Sequence, residues 1–111
     1  MTEHYAFTRD RYRTSRGNYS RRLDVSCRKC GNLILTYQKD GPGNLRRIYL
    51  DRILSPAALR GLQARKLSGI PHLSCTKCRE ILAVPYLYTK ENRKAFRVFQ
   101  DAIIKMVRRL N

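Results

Sequence analysis

All four cysteines of the chain fall in two short stretches, Cys27-Arg28-Lys29-Cys30 and Cys75-Thr76-Lys77-Cys78. Two Cys-x-x-Cys turns brought together place four thiolates at the corners of a tetrahedron, the donor set Zn²⁺ takes in closed structural sites. A single pair would read as a redox dithiol, whereas two pairs with nothing left over match a four-cysteine site; disulfides and redox thiols are the alternatives. The expected cofactor is one structural Zn²⁺ on Cys27, Cys30, Cys75 and Cys78. A metal staple suits a chain of 111 residues, whose core is modest. Residues 31–74 separate the pairs. A compact ribbon uses about 15 to 20 residues there, so this segment must carry structure of its own. His72 lies three residues before Cys75, but a tetrahedron completed by four sulfurs has no vacancy for it.

Charge is the dominant global property: 24 Lys and Arg against 8 Asp and Glu, a net charge of +16. Such an excess repels itself unless a polyanion neutralises it, which makes nucleic acid the expected partner. The basic residues are spread over the whole chain, so the folded body itself should present a cationic surface. No apolar run is long enough to span a bilayer and no secretory leader precedes the arginine-rich start; the expectation is a soluble, cytoplasmic protein with no membrane partner. A reducing compartment also favours metal over disulfides.

The expected fold class is α+β, in three parts. Residues 1–22 alternate arginine with tyrosine, serine and glycine and offer almost nothing to bury, so they read as a flexible arm. Its Arg9, Arg11, Tyr12, Arg13, Arg16, Tyr19, Arg21 and Arg22 can bridge phosphates and stack on unpaired bases. Residues 23–88 read as the metal-bearing domain, a small antiparallel sheet with an inserted hairpin over 32–52 and a short helix beginning at Ser55-Pro56 and running to about Lys66. Within the hairpin Arg47 and Tyr49 share an outward face, a candidate binding surface. The turn Asp40-Gly41-Pro42-Gly43-Asn44 lacks the Gly-Lys-Ser/Thr ending of a phosphate loop and reads as a turn only. Residues 89–111 read as a long amphipathic C-terminal helix, because Phe96, Phe99, Ile103, Met106, Val107 and Leu110 recur at intervals of three and four.

Two Cys-x-x-Cys knuckles, each feeding a strand, resemble a zinc ribbon, with Cys27, Cys30, Cys75 and Cys78 at the ligand positions. Small basic proteins of that kind resemble ribosomal or ribosome-associated proteins, which implies RNA, rRNA in particular, and neighbouring ribosomal proteins as partners. The functional expectation is a noncatalytic RNA-binding module whose knuckle cations Arg28, Lys29 and Lys77 join Arg47 and the arm in contacting phosphate. A DNA-binding regulator and a protein-interaction adaptor are the competing readings. Enzymatic activity and a small-molecule substrate are not expected, since a closed site of four cysteines holds no activated water and no acid–base pair is recognisable.

Overall fold

Strand-forming residues dominate from Ser20 onward, and the computed structural model, which describes residues 7–108, gathers them into two four-stranded antiparallel sheets. Strands β1 (Ser20–Cys27) and β2 (Leu33–Asp40) form a hairpin at the heart of the first sheet, flanked by β4 (Ile53–Ser55) and β8 (Ile103–Arg108). The second sheet has the order β3 (Arg47–Tyr49), β7 (Arg93–Val98), β6 (Ile81–Tyr88) and β5 (Leu73–Ser74). One buried cluster joins them: Leu23, Val25, Leu35 and Tyr37 from the first sheet pack with Ile48, Ala83, Phe96 and Val98 from the second. The backbone N–H of Tyr49 donates to the Tyr37 hydroxyl at 2.9 Å, a polar link across that core. Burial pushes the Tyr37 phenol above its ordinary pKa, so it stays neutral.

The expected α+β class gives way to a mostly β fold, with one short α-helix among the described residues, and the long C-terminal helix is absent: residues 93–98 and 103–108 are strands. The strand pairings explain why. β7 lies between β6 and β3, and β8 runs along β1 from Arg22↔Arg108 to Cys27↔Ile103, supplying ladder hydrogen bonds that an isolated β1 edge would lack. The apolar positions that mimicked a helical stripe separate accordingly. Phe96 and Ile103 are buried, while Phe99, Met106 and Val107 are exposed; Leu110 lies outside the described residues. Thr89 enters a hairpin turn rather than a helix, with Asn92 at φ +50°.

The inserted elements differ as well. Residues 32–52 are not a hairpin, because β2 belongs to the first sheet and β3 to the second; the chain crosses between sheets through residues 41–46. The short helix is replaced by 3-10 turns at Ala57–Leu59, Leu62–Ala64 and Leu67–Gly69. Ser55 stays in β4, its hydroxyl 2.6 Å from that of Thr36, and Gly61 at φ +86° interrupts any helix. Pro85 sits where β6 runs past the end of β5 and becomes an edge, a place that tolerates a missing donor.

The described part of the arm is ordered. Arg11–Ser15 form helix α1, capped by Asp10, whose carboxylate accepts from the N–H groups of Tyr12 and Arg13. The same carboxylate meets Arg52 at 2.6 Å, and Arg52, 1% exposed, also binds Asp40 at 2.9 Å. Three aspartates, Asp10, Asp40 and Asp51, thus surround one buried guanidinium. A buried guanidinium needs its carboxylate partners, and the Asp10 contact therefore ties the described part of the arm to the sheets. Thr8 adds a two-way bond to the buried Gln38 amide, covering part of the outer polar face of the first sheet.

After α1 the chain turns against the β2–β3 crossing, and Gly41 permits the contact. At φ +70° it sits so close that a Cβ would lie 2.4 Å from the Arg16 carbonyl oxygen; at Gly43, φ +104°, a Cβ would meet open space. Gly41→Ala should therefore cost about 2–4 kcal/mol, combining left-handed strain with overpacking, and Gly43→Ala only about 1–2 kcal/mol. Urea denaturation of both variants checks this; equal losses would mean that the approach to Arg16 contributes nothing.

Candidate metal centre and cationic sheet face

The two Cys-x-x-Cys stretches fold into the same turn twice. In the first, at the tip of the β1–β2 hairpin, the N–H of Gly31 donates to the Cys27 carbonyl and the N–H of Cys27 to the Asn32 carbonyl, both at 2.8 Å. In the second, between β5 and β6, Arg79 donates to Cys75 at 2.9 Å and Cys75 to Glu80 at 2.8 Å. Position matches position: Gly31 is at φ +77° and Arg79 at φ +68°. The asymmetry of the sequence here is one of residue type, not of backbone.

One knuckle comes from each sheet, and they meet. The Sγ atoms of Cys27 and Cys78 are 3.6 Å apart, those of Cys30 and Cys75 are 3.5 Å apart, and all four lie within 4.8 Å of one another. A tetrahedral ion with metal–sulfur bonds near 2.3 Å requires sulfurs about 3.8 Å apart. The donor set therefore fits, and these four cysteines can hold a metal ion. Backbone geometry is already arranged for thiolate. The N–H groups of Cys78 and Lys77 each point at the Cys75 sulfur from 3.4 Å, and Asn32 reaches it from the other knuckle at 3.7 Å. Those N–H groups, Cys78 first, pull the Cys75 thiol down to about 6. Cys78 is raised to about 11: the Glu80 N–H favours its thiolate, but burial and the three neighbouring sulfurs outweigh it. Four crowded sulfurs cannot all ionise without a cation among them. His72 is exposed and outside the cluster.

A second constellation covers one face of the second sheet. Register places Arg93, Ala95 and Arg97 of β7 opposite Tyr88, Tyr86 and Val84 of β6, and Arg97 and Ala95 opposite Arg47 and Tyr49 of β3. Period-two alternation sends these residues to the same side. The Arg47 guanidinium lies 4.1 Å from the Tyr88 ring centroid and donates to the hydroxyls of Tyr86 and Tyr49; Arg97 stacks over Tyr86 at 4.7 Å. Arg93 continues the series inward, over Tyr49 at 3.7 Å and over Tyr12 of α1 at 4.1 Å. The inner end is neutralised. Arg93 pairs with Asp51 at 2.7 Å, and Glu91 accepts from Arg16 and from the Tyr49 hydroxyl. Burial alone would raise the Glu91 carboxyl, but the bonds from Arg16 and Tyr49 hold it below its ordinary value. The outer end, Arg47, Arg97, Tyr86 and Tyr88, has no acidic partner among the described residues.

The basic residues anticipated as contacts are distributed unevenly. Arg9 and Lys77 are exposed, as is Tyr19, and Arg47 belongs to the arginine–tyrosine face. Arg11 is exposed on α1 with its guanidinium on Tyr12, whose hydroxyl donates to the Glu91 carbonyl. The others serve the fold. Arg13 binds Ser20 and Asn18, Arg16 binds Glu91, Arg21 reaches the carbonyls of Gly41 and Gly43, and Arg22 is buried 3.8 Å from Asp24. Arg28 donates to the Ile103 carbonyl, and Lys29 pairs with Glu80 at 3.4 Å.

Sequence reasoning missed Tyr86, Tyr88, Arg93 and Arg97 as one surface. The signal was alternation in 84–88 and 93–97, hidden by reading the latter as helix. No helix among the described residues is long and apolar enough to cross a membrane. In comparisons with family models, curated proteins and solved structures, the chain matches none.

A glycine at the second knuckle would relieve the left-handed strain that Arg79 bears without a side-chain bonding partner among the described residues. Arg79→Gly should stabilise the metal-loaded protein by roughly 1 kcal/mol, read from the urea midpoint. A loss of stability would show instead that the arginine side chain supports the fold.

Proposed function

We propose that this chain is a noncatalytic, zinc-stabilised module that binds RNA. The observation that carries the reading is the arginine–tyrosine face of the second sheet, where guanidinium planes and phenol rings alternate on an open surface with no acidic partner at its outer end among the described residues. Rings and guanidinium planes are the groups on which unpaired bases stack, and unneutralised arginines are the groups that release counterions from phosphate. Unpaired bases together with dense phosphate are characteristic of structured RNA, as in a ribosome or another ribonucleoprotein, which favours RNA over duplex DNA. The work of the zinc is structural. Four sulfur donors complete a tetrahedron, leaving no position for activated water, and the ion would join one knuckle of each sheet.

The distribution of acids supports this reading. Asp10, Asp24, Asp40, Asp51, Glu80 and Glu91 are all within ion-pair distance of the protein's own cations, so the surplus positive charge lies on groups free to meet an external anion. Such a protein should be most stable with its polyanion bound.

Chelation of the metal under reducing conditions should abolish the cooperative thermal transition, and one equivalent of Zn²⁺ should restore it; an unchanged transition would contradict the structural role. In fluorescence anisotropy with a single-stranded 12-mer RNA, affinity should fall steeply between about 50 and 200 mM salt, and Arg97→Ala and Tyr86→Ala should each weaken binding by about 1–3 kcal/mol. A twofold or smaller effect of both substitutions, or equal affinity for duplex DNA of the same length, would refute the assignment of this face to RNA.

A further inference from the structure

Next to the arginine–tyrosine face lies a cleft of about 280 Å³, formed where the β2–β3 crossing meets the end of α1. Its charged side chains are Arg16, Lys39, Arg46, Arg47 and Asp40, and Gly43 and Asn44 contribute to its rim. We propose that this cleft seats a backbone phosphate of single-stranded RNA whose adjoining base stacks on the face carried by Arg47, an inference that rests on the RNA-binding reading above.

The charge balance of the cleft is the first argument. Asp40, its one acid, is saturated: it accepts from Arg52 at 2.9 Å, from the Gln38 amide at 2.8 Å and from the Ser20 hydroxyl at 2.7 Å. Arg16 is neutralised by Glu91. Lys39, Arg46 and Arg47 remain without a carboxylate partner among the described residues. Burial first, and then the nearby cations Arg21 and Arg16, push the Lys39 ammonium below its ordinary pKa, the response of a cation crowded by others in a partly desolvated place. An anion bound here would relieve that repulsion.

Free donors are the second argument. Lys39 uses two of its three N–H groups on the carbonyls of Asp40 and Pro42, leaving a third. Arg47 commits Nε and Nη1 to tyrosine hydroxyls and keeps Nη2, and the exposed Arg46 has no hydrogen bond or ion pair among the described residues. Guanidinium forks with a neighbouring ammonium match the several oxygens of a phosphate better than the two of a carboxylate.

Continuity is the third. Arg47 both lines the cleft and stacks on Tyr88, so an anion held in the cleft is directly beside the stacking surface. A nucleotide unit offers that pair of groups, a charged phosphate joined to a flat base. A duplex does not, because its bases are already stacked and paired.

The test uses the zinc-loaded full chain and a 5′-fluorescein-labelled 12-mer oligouridylate. Arg46→Gln and Lys39→Gln should each weaken binding roughly five- to tenfold and lower the slope of log K against log salt by about 0.7, the signature of one lost phosphate contact on a single strand. Lys66→Gln, exposed and outside the cleft, should change neither quantity. As a second readout, the amide resonances of Gly43 and Asn44 should shift on titration with uridine 5′-monophosphate and not with uridine. If the wild-type chain binds the 12-mer while both cleft variants retain its affinity and salt slope, the phosphate seat is wrong and the RNA-binding face stands. If the wild-type chain fails to bind the 12-mer, the functional reading fails and this inference with it, even where monophosphate alone shifts the resonances.

Discussion

Four sulfur atoms from two hairpins converge at one point, and each sheet contributes one pair. Cys27 and Cys30 close the β1–β2 hairpin of the first sheet; Cys75 and Cys78 close the β5–β6 hairpin of the second. Everything between them in the chain, including the crossing from β2 to β3, is therefore a closed loop that the proposed ion would lock. For a core of this size such a lock matters, since the apolar cluster between the sheets is small and the surface charge opposes compaction. Amides aimed at Cys75 and the matched backbone of the two knuckles show a protein surface prepared for bound thiolate.

The second constraint is electrostatic. A chain with few acids places Asp10, Asp24, Asp40, Asp51 and Glu91 against its own buried or half-buried arginines, and Arg52 and Arg93 are the centres of that arrangement. Asp10 connects it to the N-terminal segment by capping α1 and holding Arg52 with one carboxylate. The buried arginines are thus largely compensated, and the net charge is displaced outward, onto exposed cations spread over the surface, with the arginine–tyrosine face and the cleft beside it among the places that carry it.

How much of this was legible in the sequence differs from element to element. The cysteine quartet and the strands leaving the first knuckle were readable because metal spacing and period-two alternation are local signals. The C-terminal strands were not. Phe96, Phe99, Ile103, Met106 and Val107 satisfy helical spacing by coincidence, since two strands joined by a 3-10 turn at Gln100–Ala102 happen to put apolar residues three and four apart. What decides between the readings is nonlocal: β1 and β3 need partners, and residues 93–108 supply them. The structure of residues 7–22 was illegible for a similar reason. Its tie is an aspartate–arginine contact spanning Asp10 to Arg52, invisible to composition, which sees only a polar, arginine-rich stretch. Arg47 and Tyr49 were recognised as sharing a face, but the rest of that face became visible only once β7 was placed beside them.

The cross-sheet sulfur cluster is tested most directly by X-ray absorption at the zinc edge, on protein purified under reducing conditions. The account predicts one zinc per chain with four sulfur neighbours at about 2.3 Å and no bound nitrogen or oxygen. Fewer than four sulfur neighbours, or a well-folded reduced protein without stoichiometric metal, would contradict it.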